Sequence, residues 1–317
     1  MDPLAPDPIQ GRVVDVTKAV VSVLLLTKNA GPRLDRVLNS VLAQRKVEFD
    51  VLAVDSGSTD RTLEMLQRFG VQFHQIPSDT FSHGGTRNRI ASLATGSLLA
   101  FLSQDAVPLG TTWLASLVHA FTDANLAGAF GRQLPRPGVR ESESYFQSVL
   151  YPSTPRRMLL KPGDRYRIGD FFFSNANSML RKSVWEQIPF PDHVVMSEDQ
   201  WWAREVLQRG YELAYVPDAA VEHSHDHGAI ALFRRNFDSG ASLRGLDESS
   251  PLERMARAIT YVNGEYRFLS RRGKSLAFPR ALGRELVRAA GLVMGANVRL
   301  IPRPARTKLS MHSYHWT

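Results

Sequence analysis

The chain has 317 residues, 43% hydrophobic and 22% charged, an ordinary balance for a folded protein that excludes disorder and fibrous repeats. It contains no cysteine, which excludes a disulfide framework, a thiolate zinc site and a cysteine nucleophile. The net charge of +8 is uneven, because residues 251–317 carry 13 Lys/Arg against 3 Asp/Glu; such a tail suits an anionic membrane surface, a pyrophosphate-bearing acceptor, nucleic acid or a solvated helical face.

No run approaches the roughly 20 apolar residues of a spanning helix. The opening MDPLAPDPIQGR lacks the basic-then-apolar layout of a signal peptide, so a cytoplasmic location is expected. After a Pro-rich leader, VVSVLLL (20–26) is a continuous β-branched apolar run, suited to a strand buried on both faces of a parallel sheet. Pro32 then stands at a first helical position, followed by Leu34, Val37, Leu38, Val41 and Leu42 on one helical face. The alternation repeats through FDVLAV (49–54), a helix capped near Ser58 or Thr59 and ending at Arg68, VQFHQI (71–76), a helix from about Gly85 to Ala94, and SLLAFL (97–102). Strands alternating with helices of this length predict an α/β fold with an open sheet and right-handed crossovers. From about residue 127 the regularity loosens into short strand candidates, AGAFGRQL, DFFFSNANSML and YELAYV, as in a mixed sheet. From residue 227 onward the pattern turns helical, with ALFRRNFDSG, ERMARAITYV and ALGRELVRAAGLV as candidates and a boundary near 226–232.

Ligands of open α/β sheets sit beyond the carboxyl ends of the strands. Those ends read Thr27-Lys28-Asn29, Asp55-Ser56-Gly57-Ser58-Thr59-Asp60, the FSHGGTRN run (81–88) and Ser103-Gln104-Asp105-Ala106. The first turn, TKNAGPRL, has one Gly and cannot supply the G-x-G-x-x-G of a dinucleotide site, and no P-loop is present.

These segments, with the Glu-Asp of SEDQWW, occur in an order and spacing that resembles the family 2 glycosyltransferases over about residues 20–225. FSHGGTRN, the SQDA turn, EHSHDHG and LFRRNFDSG are similar to the bacterial branch that transfers L-rhamnose from dTDP-L-rhamnose. The resemblance implies a GT-A fold, a Rossmann-like mixed sheet. It divides the chain into a leader (1–18), a GT-A catalytic domain (19–226) and a basic helical extension (227–317). It implies an inverting transfer to a hydroxyl of a glycan or lipid-linked saccharide, with peripheral membrane contact through the basic end and no nucleic-acid partner.

By the same resemblance, Thr27, Asn29, Asp55, Ser56, His83, Gly84, Arg87, Gln104 and Asp105 are expected to bind the nucleotide sugar. Asp55 is assigned to the base and ribose because it precedes its turn and is not needed for capping; Arg87 is assigned to phosphate or base. A departing pyrophosphate favours a divalent cation, Mg2+ or Mn2+, on hard ligands. Where relatives carry D-x-D, this chain has Gln104-Asp105-Ala106, so Asp105 needs help from His225 or, next, His223, which would favour Mn2+; His227 belongs to the same run. The acidic pair assigns Asp199 as base and Glu198 as the residue that shapes the site, with Trp201 and Trp202 as acceptor platforms. Arg234 and Arg235 either reach the pyrophosphate or form an exposed basic face. The alternatives are a UDP-hexose donor and, given the missing first Asp, a catalytically silent nucleotide-sugar-binding protein.

Overall fold

The computed structural model describes residues 21–161 and 163–316; the leader 1–18 lies outside the described residues. In chain order the first half contains β1 (Val21–Thr27), α1 (Arg33–Leu42), β2 (Phe49–Asp55), α2 (Thr62–Arg68), β3 (Gln72–Gln75), α3 (His83–Leu93), β4 (Leu98–Ser103), β5 (Val107–Pro108) and α4 (Trp113–His119). There follow β6 (Leu126–Leu134), α5 (Glu141–Leu150), β7 (Arg156–Met158), β8 (Asn177–Arg181), α6 (Lys182–Gln187), α7 (Glu198–Gln208) and β9 (Glu212–Glu222). The chain ends in α8 (Ala229–Ser242), α9 (Pro251–Arg271), α10 (Phe278–Ala296) and α11 (Arg303–Leu309).

The strands form one sheet in the order β3-β2-β1-β4-β8-β6-β9-β5, with β7 paired to β9. β3, β2, β1 and β4 are parallel, whereas β8 runs antiparallel to both β4 and β6. The apolar run of β1 is explained by its central place. Val21, Val23 and Leu25 pack on one side with Leu34, Val37, Leu38 and Val41 of α1, while Leu24 packs on the other with Ile90 and Ala91 of α3. Alternate side chains of a strand leave opposite faces, so burial on both sides favours a nearly continuous apolar sequence, and the buried exception, Ser22, accepts from Gly96 N at 2.9 Å.

Three expectations shift. α2 begins at Thr62 instead of Ser58 or Thr59, because the DSGST residues are held in a turn by Asp55 and the helix start is satisfied by Asp60, whose Oδ1 accepts from Thr62 N at 3.0 Å. α3 begins at His83, two residues early, since Ser82 Oγ accepts from Gly85 N at 3.1 Å as an N-cap. Of the strand candidate DFFFSNANSML only Asn177–Arg181 pairs in the sheet; Phe171 and Phe173 are buried by side-chain packing without being strand residues.

Within the helical end, α8 and α10 meet along a seam of glycines. A Cβ on Gly291 would lie 2.6 Å from the Phe233 carbonyl oxygen, one on Gly295 2.0 Å from that of Phe237, and one on Gly240 2.2 Å from that of Leu292. Backbone therefore meets backbone where α8 crosses α10, a distance that only glycine permits. Gly295→Ala is expected to force the helices apart and destabilise the protein by about 1–3 kcal/mol, read as a lower denaturant midpoint, whereas alanine at Gly283, which has open space at its Cβ, should not lower it.

Candidate active site

The tips of β1 and β2 are knitted together by one buried carboxylate. Asp55 is fully buried; its Oδ1 accepts from Gly57 N (3.0 Å) and Ser58 N (2.8 Å), and its Oδ2 from Thr27 Oγ1 (2.9 Å) and Ser58 Oγ (2.5 Å). This corrects the premise that Asp55 is free of its turn: it organises that turn, and Thr27 donates to it. Asn29, at φ 45°, accepts from Thr59 N at 2.8 Å. Ser56 is buried, its N–H given to Thr27 O at 2.9 Å and its hydroxyl without a partner. Gln104 clasps the tips of β1 and β4, accepting from Lys28 N (2.8 Å) and donating to Lys28 O (3.2 Å). A carboxylate in its place could accept but not donate, which is a physical reason for an amide where relatives carry an acid.

Beside Gln104, the ligand atoms of Asp105, His223 and His225 lie within 4.8 Å of one another. His223 is buried, with Nδ1 2.7 Å from Gln133 Oε1; facing that oxygen, Nδ1 carries the proton and Nε2 presents its lone pair. Nε2 is 3.3 Å from Asp105 Oδ1, and this buried nitrogen makes no hydrogen bond of good geometry among the described residues. Burial, with the adjacent His223 and Arg235, pulls the His225 imidazole down to about 3, leaving it neutral. Burial alone would raise the Asp105 carboxyl, but the facing His223, His225 and Arg136 outweigh it and hold it well below the usual range. One carboxylate and two imidazoles with converging ligand atoms fit a divalent cation. His227 stacks on His225 at 5.3 Å and is outside the cluster.

The start of α7 supplies the acid pair. Glu198 is buried and pairs with Arg87 NH1 at 3.0 Å. Asp199 Oδ2 accepts from Asn175 N (3.0 Å) and Oδ1 from Gln200 N (2.9 Å). Burial, reinforced by the neighbouring Glu198 charge, pushes the Asp199 carboxyl up to about 7. The segment 174–176 joins this pair to the Asp–His cluster. Ser174 Oγ accepts from Gln133 Nε2 at 2.9 Å, Asn175 holds Asp199, and Ala176 O accepts from Ser103 N at 3.1 Å. The tip of β4 and the start of α7 therefore share one side of the sheet.

Several assigned residues have other duties. Arg87 is committed to Glu198 instead of lying open to phosphate. The close approach at Gly84 is to protein, since a Cβ there would lie 1.9 Å from Pro191 O. His83 is held against Phe81 and His312, both at 5.1 Å, with Nε2 buried and unpartnered, and burial pulls it down to about 4. Trp202 is 1% exposed, donates to Ile188 O at 2.8 Å and packs on Phe173 and Phe190; it is core, which removes it from acceptor binding. Trp201 is half-buried and donates to Ser242 O at 2.7 Å, tying α7 to α8. Arg234 is exposed, whereas Arg235 lies deep among Glu143, Tyr151 and Asp105, with no hydrogen bond or ion pair among the described residues. Gln133, Arg136 and Asn175 were not anticipated; only the polar SNANS stretch within an apolar strand candidate signalled any of them.

A mixed sheet whose tips gather acid, imidazole and guanidinium groups beside a buried carboxylate pair is the layout of a GT-A sugar-nucleotide transferase. The family model of Glycosyl transferase family 2 matches residues 22–189, and the chain belongs to that family; it is a glycosyltransferase. It is 28% identical over 307 residues to the O-antigen chain rhamnosyltransferase RfbN of Salmonella typhimurium, covering 93% of this chain and 96% of that protein. Against the O-antigen chain rhamnosyltransferase WbaN of Salmonella anatum it is 28% identical over 93% and 95% of the two chains. Among solved structures, the fold is similar to that of the mannosyltransferase PcManGT from Pyrobaculum calidifontis in complex with GDP-Man and Mn2+, with a TM-score of 0.53, 19% identity and coverage of 93% and 84%.

The buried Arg87–Glu198 pair makes a stability prediction. Arg87→Met leaves a carboxylate uncompensated and should cost about 3–5 kcal/mol, with the Arg87→Met/Glu198→Gln double variant recovering part of it; urea midpoints of the two variants at pH 8 provide the measurement.

Proposed function

We propose that this glycosyltransferase moves L-rhamnose from dTDP-β-L-rhamnose, with inversion, onto a hydroxyl of a growing saccharide of the O-antigen type. The observation that carries this reading is the placement of the Asp105–His223–His225 cluster and Asp199 on either flank of segment 174–176. Similarity to two O-antigen rhamnosyltransferases over more than nine-tenths of the chain supports the donor and acceptor class. Asp105, His225 and His223 would hold Mn2+ or Mg2+, which when bound offsets the negative charge of a leaving diphosphate. Arg235, whose charge is felt by both Glu143 and Asp105, is positioned to add positive charge there. Asp199 takes the proton of the acceptor hydroxyl as its oxygen attacks the anomeric carbon from the face opposite the departing dTDP. No covalent intermediate is needed. Glu198, balanced by Arg87, keeps Asp199 costly to ionise and hence basic near neutrality.

An Asp base works only when ionised, so turnover should be full above about 7 and fall as the pH drops through that value. Asp199→Asn should lose roughly 10²–10⁴-fold in turnover while keeping dTDP affinity. Product mass spectrometry across dTDP-rhamnose and UDP-hexose donors, on both proteins, is the test. Preference for a UDP-hexose would replace the donor, unchanged turnover in Asp199→Asn would remove the base, and binding without transfer from any donor would mark a silent protein.

No helix among the described residues is long and apolar enough to cross a membrane, and we propose that the basic end rests on an anionic bilayer. Leu252 (79% exposed), Met255, Ile259 and Tyr266 form one exposed stripe along α9, near the exposed Arg267 and Arg271. The excess of 13 Lys/Arg over 3 Asp/Glu in residues 251–317 opposes a second copy and complements acidic headgroups. The full chain should sediment with phosphatidylglycerol vesicles but not with phosphatidylcholine ones, and Leu252→Ser/Ile259→Ser should release it. Failure to sediment, or a dimer broken by the same substitutions, would overturn this placement.

A further inference from the structure

Asp105 is the one carboxylate of its cluster, and neither oxygen is open. Oδ1 faces His223 Nε2 at 3.3 Å, and Oδ2 accepts from Arg136 NH2 at 2.5 Å. Its sequence neighbours bring no second acid, since Gln104 is engaged with Lys28 and Ala106 is apolar. A divalent cation reaching Asp105 would find a guanidinium already paired with that carboxylate, and two positive charges on one carboxylate repel strongly away from bulk water.

Arg136 is built to be displaced. Its main chain is fixed, with N donating to Ser224 Oγ at 3.1 Å, between the two imidazoles of the cluster in sequence. Among the described residues its side chain is held at one end only: NH2 contacts Asp105, while Nε is buried without a partner. Other positive groups crowd it, because Arg33 lies close enough to be affected by its charge and is itself paired with Glu222 at 2.5 Å. Arg235 approaches Asp105 from the opposite element, α8. Arg33, Arg136 and Arg235 thus all act on Asp105, and although Glu222 and Glu143 offset part of their charge, a diphosphate would complement such a gathering of guanidinium groups.

We propose that Arg136 is a stand-in cation: it neutralises Asp105 in the unloaded enzyme and, when a metal is held by Asp105, would give up that carboxylate and turn to the diphosphate of the arriving donor. The metal and the nucleotide then favour each other's binding, because each removes what opposes the other. This rests on the metal-site reading of Asp105, His223 and His225 given above. In the absence of nucleotide the guanidinium competes with the metal. In its presence the same group is a ligand for phosphate oxygens, for which an arginine fork is well suited.

The test is equilibrium binding of Mn2+ and dTDP, separately and together, by calorimetry and by the electron-spin-resonance signal of free Mn2+. It uses full-length wild type, Arg136→Met and Arg136→Lys, with far- and near-ultraviolet circular dichroism checking the fold. Arg136→Met should bind Mn2+ alone about tenfold more tightly and dTDP in saturating Mn2+ about tenfold more weakly, shrinking the mutual enhancement measured in wild type. Arg136→Lys, which keeps the charge without the fork, should fall between. Unchanged or weaker Mn2+ binding by both folded variants would overturn the stand-in role, as would unchanged dTDP affinity. Wild type that binds dTDP but no Mn2+ under any condition would instead sink the metal-site reading beneath it.

Discussion

The site depends on a three-residue bridge of backbone. Ser174, Asn175 and Ala176 lie between the tip of β4 and the start of α7, and each fixes a different part of the site. The Ser174 hydroxyl anchors Gln133, whose other end holds the tautomer of His223. The Asn175 N–H reaches Asp199, and its side chain reaches Glu198 at 3.4 Å. The Ala176 carbonyl meets Ser103 N, two residues before Asp105. Moving this bridge would disturb acid pair and histidine cluster together, which makes them one cooperative unit despite their distance in sequence.

The electrostatics follow from having few acids and many cations. Asp105 is outnumbered, so it stays ionised even though burial works against it. At the acid pair the imbalance is reversed: Glu198 holds Arg87, and the remaining carboxylate, Asp199, sits in a buried place beside a negative charge. The same fold thereby carries one carboxylate poised to hold a cation and another poised to hold a proton, a division set by environment because both side chains are aspartates.

Much of the fold was legible because it is periodic. The runs at β1, β2 and β4 and the stripe of α1 are long and repeat cleanly, and they fell within a residue or two of their observed limits. The acid pair and the histidines were legible as residue types in a familiar order. What the sequence hid were partnerships. Asp55 and Gly84 carry the residue types of ligand contacts, yet they spend their contacts on Gly57, Ser58 and Pro191. Nothing local in Trp201-Trp202 says which face of α7 is inside. Arg136 is one arginine among many until the β6 terminus brings it to Asp105, 31 positions away.

The glycine seam lies wholly beyond the segment that the family model matches. The segment matched by the family ends at residue 189, before the acid pair, the histidines and Arg235. α8 carries Arg235 and is locked to α10 at backbone distance. A hybrid with a relative's core must therefore be cut before α8 begins at Ala229, so that α8 and α10 travel as a matched pair; a cut between them would bring the right arginine on a helix that no longer fits.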